Sequence, residues 1–341
     1  MEKAKTKLPK NNQQSEKETL TIKSALKKTV GIFQRVESHW LTFSALILFS
    51  LIFNLLSDTF FKQTNLLVVA RQSSIIALVA IAQLLVLIAG GIDLSVGSIV
   101  GLSGILTAGV LSATENVYFG LLTGLLTGTI IGLINGLLIT KLKISDIIAT
   151  LAMLFIAHGL IYAYSGGYPI YKNIPKEFLF FGQGTIGPIT MPIVFVIVIS
   201  IIVSLFLNST KYGRNLYAVG GNPEVAFRAG INTKKYKLLV YMLSGLLCGF
   251  TGVVLTSRLG SGQPATGESL MLDSVAAVIL GGASLSGGLG TVTGTIIGVL
   301  VIGIMSNGLT LIGANYYTQE ILKGVMLVLA VLLNAIRTNK R

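Results

Sequence analysis

Two stretches place polar groups where they could do work inside an apolar chain. The first is Gly90-Gly91-Ile92-Asp93-Leu94-Ser95-Val96-Gly97, with Asp93 and Ser95 between long apolar runs. An acid in such surroundings has two uses. It can cap the next helix, its oxygen accepting from free backbone N–H groups. It can instead border a path or gate for a polar solute, a common reason for a carboxylate within a membrane. The double glycine ends the helix before it. A second break, GGASLSGGLG from Gly281 to Gly290, carries Ser284 and Ser286. Broken helices bare backbone groups, which is tolerated only inside protein or beside a water-filled cavity. Gly91, Asp93, Ser95, Ser284 and Ser286 are thus the candidates for a translocation path or its gate.

The second stretch is Asn208 to Lys237, NSTKYGRNLYAVGGNPEVAFRAGINTKKYK. It holds Lys211, Arg214, Arg228, Lys234, Lys235 and Lys237 against one acid, Glu224. Its middle has the marks of a short helix. Asn222 is a good N-cap, Pro223 suits the first helical position, Glu224 suits the positive helix start, and Gly230 closes the far end. A firm basic helix between two apolar spans is either a docking surface for a soluble partner or an ordinary retained loop.

Other chemistry is missing. There is no G-x-x-x-x-G-K-[ST], so no P-loop for nucleotide hydrolysis. There is no H-E-x-x-H, no cysteine pair and no catalytic serine constellation. With His39 and His158 the only histidines, neither a metal nor a cofactor is expected. The spans lack the several buried acids that a proton-coupled carrier would use. His158 is expected to hydrogen-bond within a bundle, Asn135 and Asn307 to bond between helices, and Glu320 to pair with Lys323. Arg258, Gln263, Glu268 and Asp273 lie in or around SGQPATGESLMLD. They are expected in an outer loop, either simply exposed or facing an external binding protein.

The elements that must position these groups are membrane helices. The chain of 341 residues is 52% hydrophobic and 11% charged, against about 25% charged in soluble domains. Its 39 glycines and 7 prolines suit close-packed helices. Crossing a bilayer takes roughly 20 apolar residues. Ten stretches qualify: 41–56, 73–90, 96–113, 119–140, 146–163, 191–207, 238–255, 270–282, 291–309 and 316–336. If the N-terminus is cytoplasmic, the inner segments hold 20 of the 26 Lys and Arg residues. This sorting by loop favours both ends inside. It also explains the +13 net charge as topology rather than nucleic-acid binding. Residues 1–39 form a polar basic tail without a signal peptide, with an interfacial helix near 22–36. The apolar, membrane-spanning body covers 40–337, with its inner loop at 208–237, and 338–341 is a second tail. Cys248 is the single cysteine and allows no internal disulfide.

Glycines recur every four residues in the fourth span (Gly120, Gly124, Gly128, Gly132, Gly136), the seventh (Gly245, Gly249) and the ninth (Gly290, Gly294, Gly298). Such spacing forms a ridge where backbones approach closely. TGTIIG occurs at 127–132 and 293–298, hinting at an inverted repeat of five plus five. The echo between GGIDLSVG and GGASLSGG has another offset. Tyr168, Tyr171, Phe178, Phe180 and Phe181, in the outer loop Ser165 to Thr190, are interfacial anchors or meet an external partner.

Taken together, GGIDLSVGS (90–98), YAVGGNPEVAFRAGI (217–231), QPATGESLMLDSVAAVILGGASLSGGLGTVTGTIIG (263–298) and NGLTLIG (307–313) resemble the permease subunit of bacterial ABC importers for sugars. The resemblance is to the ribose-type permeases within the ribose/xylose/galactose group and covers residues 41–335. It implies an all-α polytopic protein of the plasma membrane. Two permease subunits, a second copy or a paralogue, would pair among membrane lipid. Two ATPase subunits would bind on the cytoplasmic face and a sugar-binding protein outside. The family's cytoplasmic coupling segment falls on Asn222, Pro223, Glu224, Phe227, Arg228 and Gly230. Glu224-Val225-Ala226-Phe227 departs from the small alanines usual there, and the bulky Phe227 would seat in a partner groove. The implied cargo is ribose, with other small sugars or an autoinducer-2-like furanone as alternatives. An ion-coupled secondary carrier is the alternative of another class.

Overall fold

A computed structural model describes residues 38–338. The expected interfacial helix lies outside the described residues, as do the two tails apart from residues 38, 39 and 338. Four helices come first: α1 (Ser38–Leu56), α2 (Gln63–Ile88), α3 (Val96–Thr114) and α4 (Val117–Thr140). After α5 (Asp146–Ser165) come a 3-10 turn (Lys176–Leu179), a one-turn α6 (Phe180–Gln183), and a hairpin of β1 (Thr185–Ile186) and β2 (Ile189–Thr190). The rest is α7 (Met191–Ser209), α8 (Lys211–Gly221), α9 (Pro223–Arg228), α10 (Thr233–Leu259), α11 (Glu268–Leu280), α12 (Val292–Leu311) and α13 (Tyr316–Thr338).

Seven of these helices (α2, α3, α4, α5, α7, α10 and α12) are long and apolar enough to cross a membrane. The other three expected spans look different. The apolar part of α1 is the shorter Thr42–Leu56. Helix α11 has only 13 residues. Helix α13 is long but carries Glu320 and Lys323.

Helix α2 is the axis of the bundle. From Ser73 to Ile88 it is buried almost throughout, on every face. A helix apolar all round belongs in the middle, where no side meets lipid or water. It starts ten residues earlier than the apolar run alone predicts.

The glycine ridges of α4 and α10 face each other. A methyl on Gly128 would overlap the Gly245 carbonyl oxygen, and one on Gly132 would overlap that of Tyr241. Reciprocally, Gly249 lies against the Gly124 carbonyl. The second TGTIIG behaves alike: Gly298 lies under the Ala277 carbonyl of α11, and the Gly294 carbonyl lies against Gly281. Lipid offers no hydrophobic drive for helix association, so this close backbone packing holds the bundle together.

The expected interhelical asparagines are also in place. Asn307 on α12 and Asn65 on α2 exchange two amide hydrogen bonds of 2.9 and 3.0 Å. Asn307→Leu would strand the Asn65 carbonyl oxygen, at a cost of about 1–2 kcal/mol. The melting midpoint in detergent should fall by several degrees. A midpoint equal to wild type would show that the pair contributes nothing.

The outer aromatics divide. Phe178 is buried beside Leu111 and Val253, and its carbonyl accepts from Ser257 Oγ at 2.6 Å. Phe181 stacks on Phe195, which meets Phe250 edge-on. Tyr168, Tyr171 and Phe180 are exposed.

Candidate functional site

The two breaks are built by one recipe. Each helix before a break ends in a left-handed glycine, Gly90 (φ 72°) after α2 and Gly282 (φ 90°) after α11. Only glycine takes this geometry without a Cβ penalty. The next N–H reaches back five residues: Gly91 to the Val86 carbonyl at 3.0 Å and Ala283 to that of Val278 at 3.1 Å. A side-chain oxygen then closes a turn. Asp93 Oδ1 accepts from the Ser95 N–H at 2.9 Å, and Ser284 Oγ from the Ser286 N–H at 3.1 Å. The echo between GGIDLSVG and GGASLSGG is thus structural at the side-chain turn, while the glycine stop falls one residue later in the second break. Helix capping by Asp93 or Ser95 is not what forms. Neither side chain caps α3, because Asp93 spends its bonds on Ser95, before the first helical residue.

The first break is pinned from three sides. Ser95 Oγ donates to Asp93 Oδ1 at 2.6 Å and accepts from Asn135 Nδ2 of α4 at 2.9 Å. The Ile92 N–H donates to Asp146 Oδ2 of α5 at 2.9 Å. The Ile92 carbonyl accepts from the Tyr241 hydroxyl of α10 at 3.3 Å. Gly91, Asp93 and Ser95 are sealed from solvent, with Asp93 and Ser95 at 0% exposure. Ser284 is buried too, and only Ser286 of the five candidates is exposed. In this conformation Gly91, Asp93 and Ser95 brace the first break from inside the protein.

The breaks then meet each other, and a third segment joins them. The Gly288 N–H donates to the Ile88 carbonyl, the last residue of α2, at 2.9 Å. A methyl on Gly287 would fall 2.7 Å from the Gly90 Cα and 2.6 Å from the Gly220 carbonyl oxygen. One on Gly220 would overlap the Ile88 carbonyl and stand 2.7 Å from the Gly288 nitrogen. The end of α8, Gly220-Gly221, is thus wedged by backbone alone against both breaks. Tyr217, one turn earlier on α8, donates its hydroxyl to the Gly290 carbonyl at 2.8 Å. Burial raises the pKa of this phenol, so it stays protonated and remains a donor. Sequence reasoning missed Tyr217, Gly220, Gly221, Gly287 and Gly288 as partners. The repeated double glycine in YAVGG, GGID and GGAS was the signal for them.

Helix α9 follows directly. Asn222 Oδ1 accepts from the Glu224 and Val225 N–H groups, both at 3.1 Å. Pro223 is the first helical residue. The far end closes as expected: Ile231 N–H bonds the Ala226 carbonyl at 3.0 Å and Gly230 N–H that of Phe227 at 2.9 Å. This paired closure is the usual glycine-ended helix stop. Glu224 and Arg228 form an exposed ion pair at 2.6 Å. Ala226 is buried, while Phe227 is 69% exposed. The six-residue helix is a preformed knob with a ring on its outer side, mounted next to the glycine junction.

Of the acids in 263–273, Glu268 is exposed as expected, whereas Asp273 departs from expectation. Asp273 is buried and pairs with Lys323 of α13 at 3.3 Å, and Lys323 also holds Glu320 at 3.1 Å. Glu268 meets His158 of α5 at 3.1 Å. The segment before α11 is no free loop, because it lies packed along α3. Gln263 Nε2 turns to its neighbour Ser261 at 2.9 Å. Arg258 is half-buried at the end of α10.

Residues 65–331 match the family described as "Branched-chain amino acid transport system / permease component". The chain is 43% identical to the ribose import permease protein RbsC of Bacillus subtilis (strain 168). That match covers 86% of this chain and 91% of the relative. It is 36% identical to RbsC of Escherichia coli (strain K12), over 85% of this chain and 91% of the relative. The L-arabinose transport system permease protein AraH of the same E. coli strain is 35% identical, over 86% and 90%. No solved structure matches.

Proposed function

This chain belongs to the branched-chain amino acid transport system permease component family, and from that premise we propose that it carries ribose through a membrane as the permease subunit of an ABC importer. It is a multi-pass membrane protein and a transport subunit rather than an enzyme. The observation that carries the mechanism is the wedge of α8 between the two breaks. A partner that moves α9 pushes on the one point where both broken segments meet.

The body, 40–337, crosses the plasma membrane ten times with both ends cytoplasmic, and 1–39 and 338–341 are cytoplasmic tails. The loop 208–237 faces two ATPase subunits. Asn222, Pro223 and Gly230 shape the knob, while Glu224, Phe227 and Arg228 touch the partner. A second permease copy or paralogue completes the membrane part, and an external sugar-binding protein delivers cargo. Gly91, Asp93, Ser95, Ser284 and Ser286 act in gating as parts of the joint rather than as the lining of a path.

The test uses the whole complex in lipid vesicles, with labelled ribose and ATP. Uptake should need ATP and both partners. Phe227→Asp should lower it at least tenfold, because a desolvated carboxylate would replace a ring in an apolar groove. Undiminished uptake by this variant would remove the knob from the mechanism. Uptake by the chain alone under an ion gradient would overturn the importer reading.

A further inference from the structure

We infer that His158, Glu268 and Tyr162 form a station that binds the sugar part-way through the membrane. The inference rests on the reading of the chain as a monosaccharide permease and adds where the cargo is held.

Helix α5 is long and apolar enough to cross a membrane. His158 lies twelve residues after its start and seven before its end, about 18 Å and about 10 Å along the axis. Glu268 reaches that level because the chain before it descends inside the protein. Gly262 packs against Ala108 of α3, the Thr266 carbonyl lies over Gly101, and Gly267 lies against Gly97. From Ala108 to Gly97 is about 16 Å along α3. Only then does α11 begin, with Glu268 as its first residue. Its 13 residues are about two thirds of a crossing. Discontinuous helices of this kind place their ends near the bilayer midplane, beside cargo.

Exposure is the second observation. The side chains are 39% exposed for His158 and 61% for Glu268. Ionisable groups within membrane spans face the protein interior or a water-filled cavity, because hydrocarbon rejects them. The face they share therefore belongs to water or protein.

The third observation is chemistry. His158 Nε2 and Glu268 Oε1 satisfy each other at 3.1 Å. The second imidazole nitrogen and second carboxylate oxygen have no protein partner among the described residues. They offer a donor or acceptor and an acceptor, as sugar hydroxyls require. Tyr162 stands edge-on to His158, with ring centroids 4.9 Å apart, and is 40% exposed. A tyrosine gives an apolar ring face and a polar tip. A ring face for the C–H side of a sugar, next to groups for its hydroxyls, fits a monosaccharide better than an ion or a lipid tail.

The experiment compares Glu268→Gln, His158→Phe and Tyr162→Leu with wild type in the complete complex in vesicles. It reads labelled D-ribose moved per ATP hydrolysed. All three should lower that ratio at least tenfold, while ATP hydrolysis stimulated by the loaded binding protein stays at wild-type rate. Glu268→Asp should recover part of the flux. An unchanged ratio in Glu268→Gln and His158→Phe would overturn the station. So would a parallel loss of flux and ATP hydrolysis, which would make the pair a prop of the fold or of the interface between two copies. A wild-type complex that moves no monosaccharide would overturn the permease reading itself, and the station with it.

Discussion

Gly220→Ala is expected to cut ATP-driven sugar uptake at least tenfold, although it adds a single methyl. That methyl would overlap the Ile88 carbonyl and stand 2.7 Å from the Gly288 nitrogen. Those two atoms bond to each other at 2.9 Å, so the methyl would pry that bond open. Its neighbours are main chain, which cannot swing aside as a side chain can. Overpacking of this kind costs about 1–3 kcal/mol. Here the strain falls on the joint between α2, α8 and the second break. The subunit should still insert and bind its partners, and ATP hydrolysis should continue without matching uptake. Gly221→Ala is the control, because a methyl there meets nothing within 4 Å. Assaying uptake and hydrolysis together in vesicles decides the matter. Equal uptake by Gly220→Ala and wild type would remove the junction from the transport cycle.

The second large effect concerns the bundle itself. Gly128→Val should prevent stable folding. A first carbon at this position already overlaps the Gly245 carbonyl and lies 2.7 Å from the Gly249 Cα and nitrogen. Two helices locked through Gly124, Gly128, Gly132, Gly245 and Gly249 would have to part along their whole contact. The expected loss is about 3 kcal/mol, the upper end of overpacking. Size-exclusion profiles and melting curves in detergent should show little monodisperse protein and a midpoint lower by many degrees. Gly324→Ala on α13 makes the comparison, because its methyl would enter open space. A Gly128→Val protein that melts within a degree or two of wild type would refute the ridge as the main clamp.

Much of this was legible in the sequence. Spacing of four announced both ridges, because it is the repeat that aligns one helix face. It could not say that the α4 ridge meets the α10 ridge, since pairing depends on the whole bundle. The ends of α9 were legible because caps are local: Asn222, Pro223 and Gly230 act within their own turn. The breaks were legible for the same reason, but their meeting was not. Contact between Gly90, Gly220 and Gly287 joins positions far apart in the chain. The segment around Glu268 misled for a physical reason. SGQPATG has the composition of a surface loop, yet its small residues let it lie flat along α3. The resulting short α11 and the Asp273–Lys323 pair follow from that packing, which no local pattern records.

The meeting of Gly90, Gly220 and Gly287 also limits how this sequence can drift. Gly220 is hemmed in by the main chain of Ile88 and Gly288, and Gly287 by that of Gly220 and Gly90, while Gly90 is held to glycine by its left-handed φ of 72°. A larger residue at Gly220 or Gly287 would need the facing main chain to retreat, and glycine has no side chain left to shorten. A change at any one of the three therefore strains the same joint, although their codons lie in separate regions of the gene.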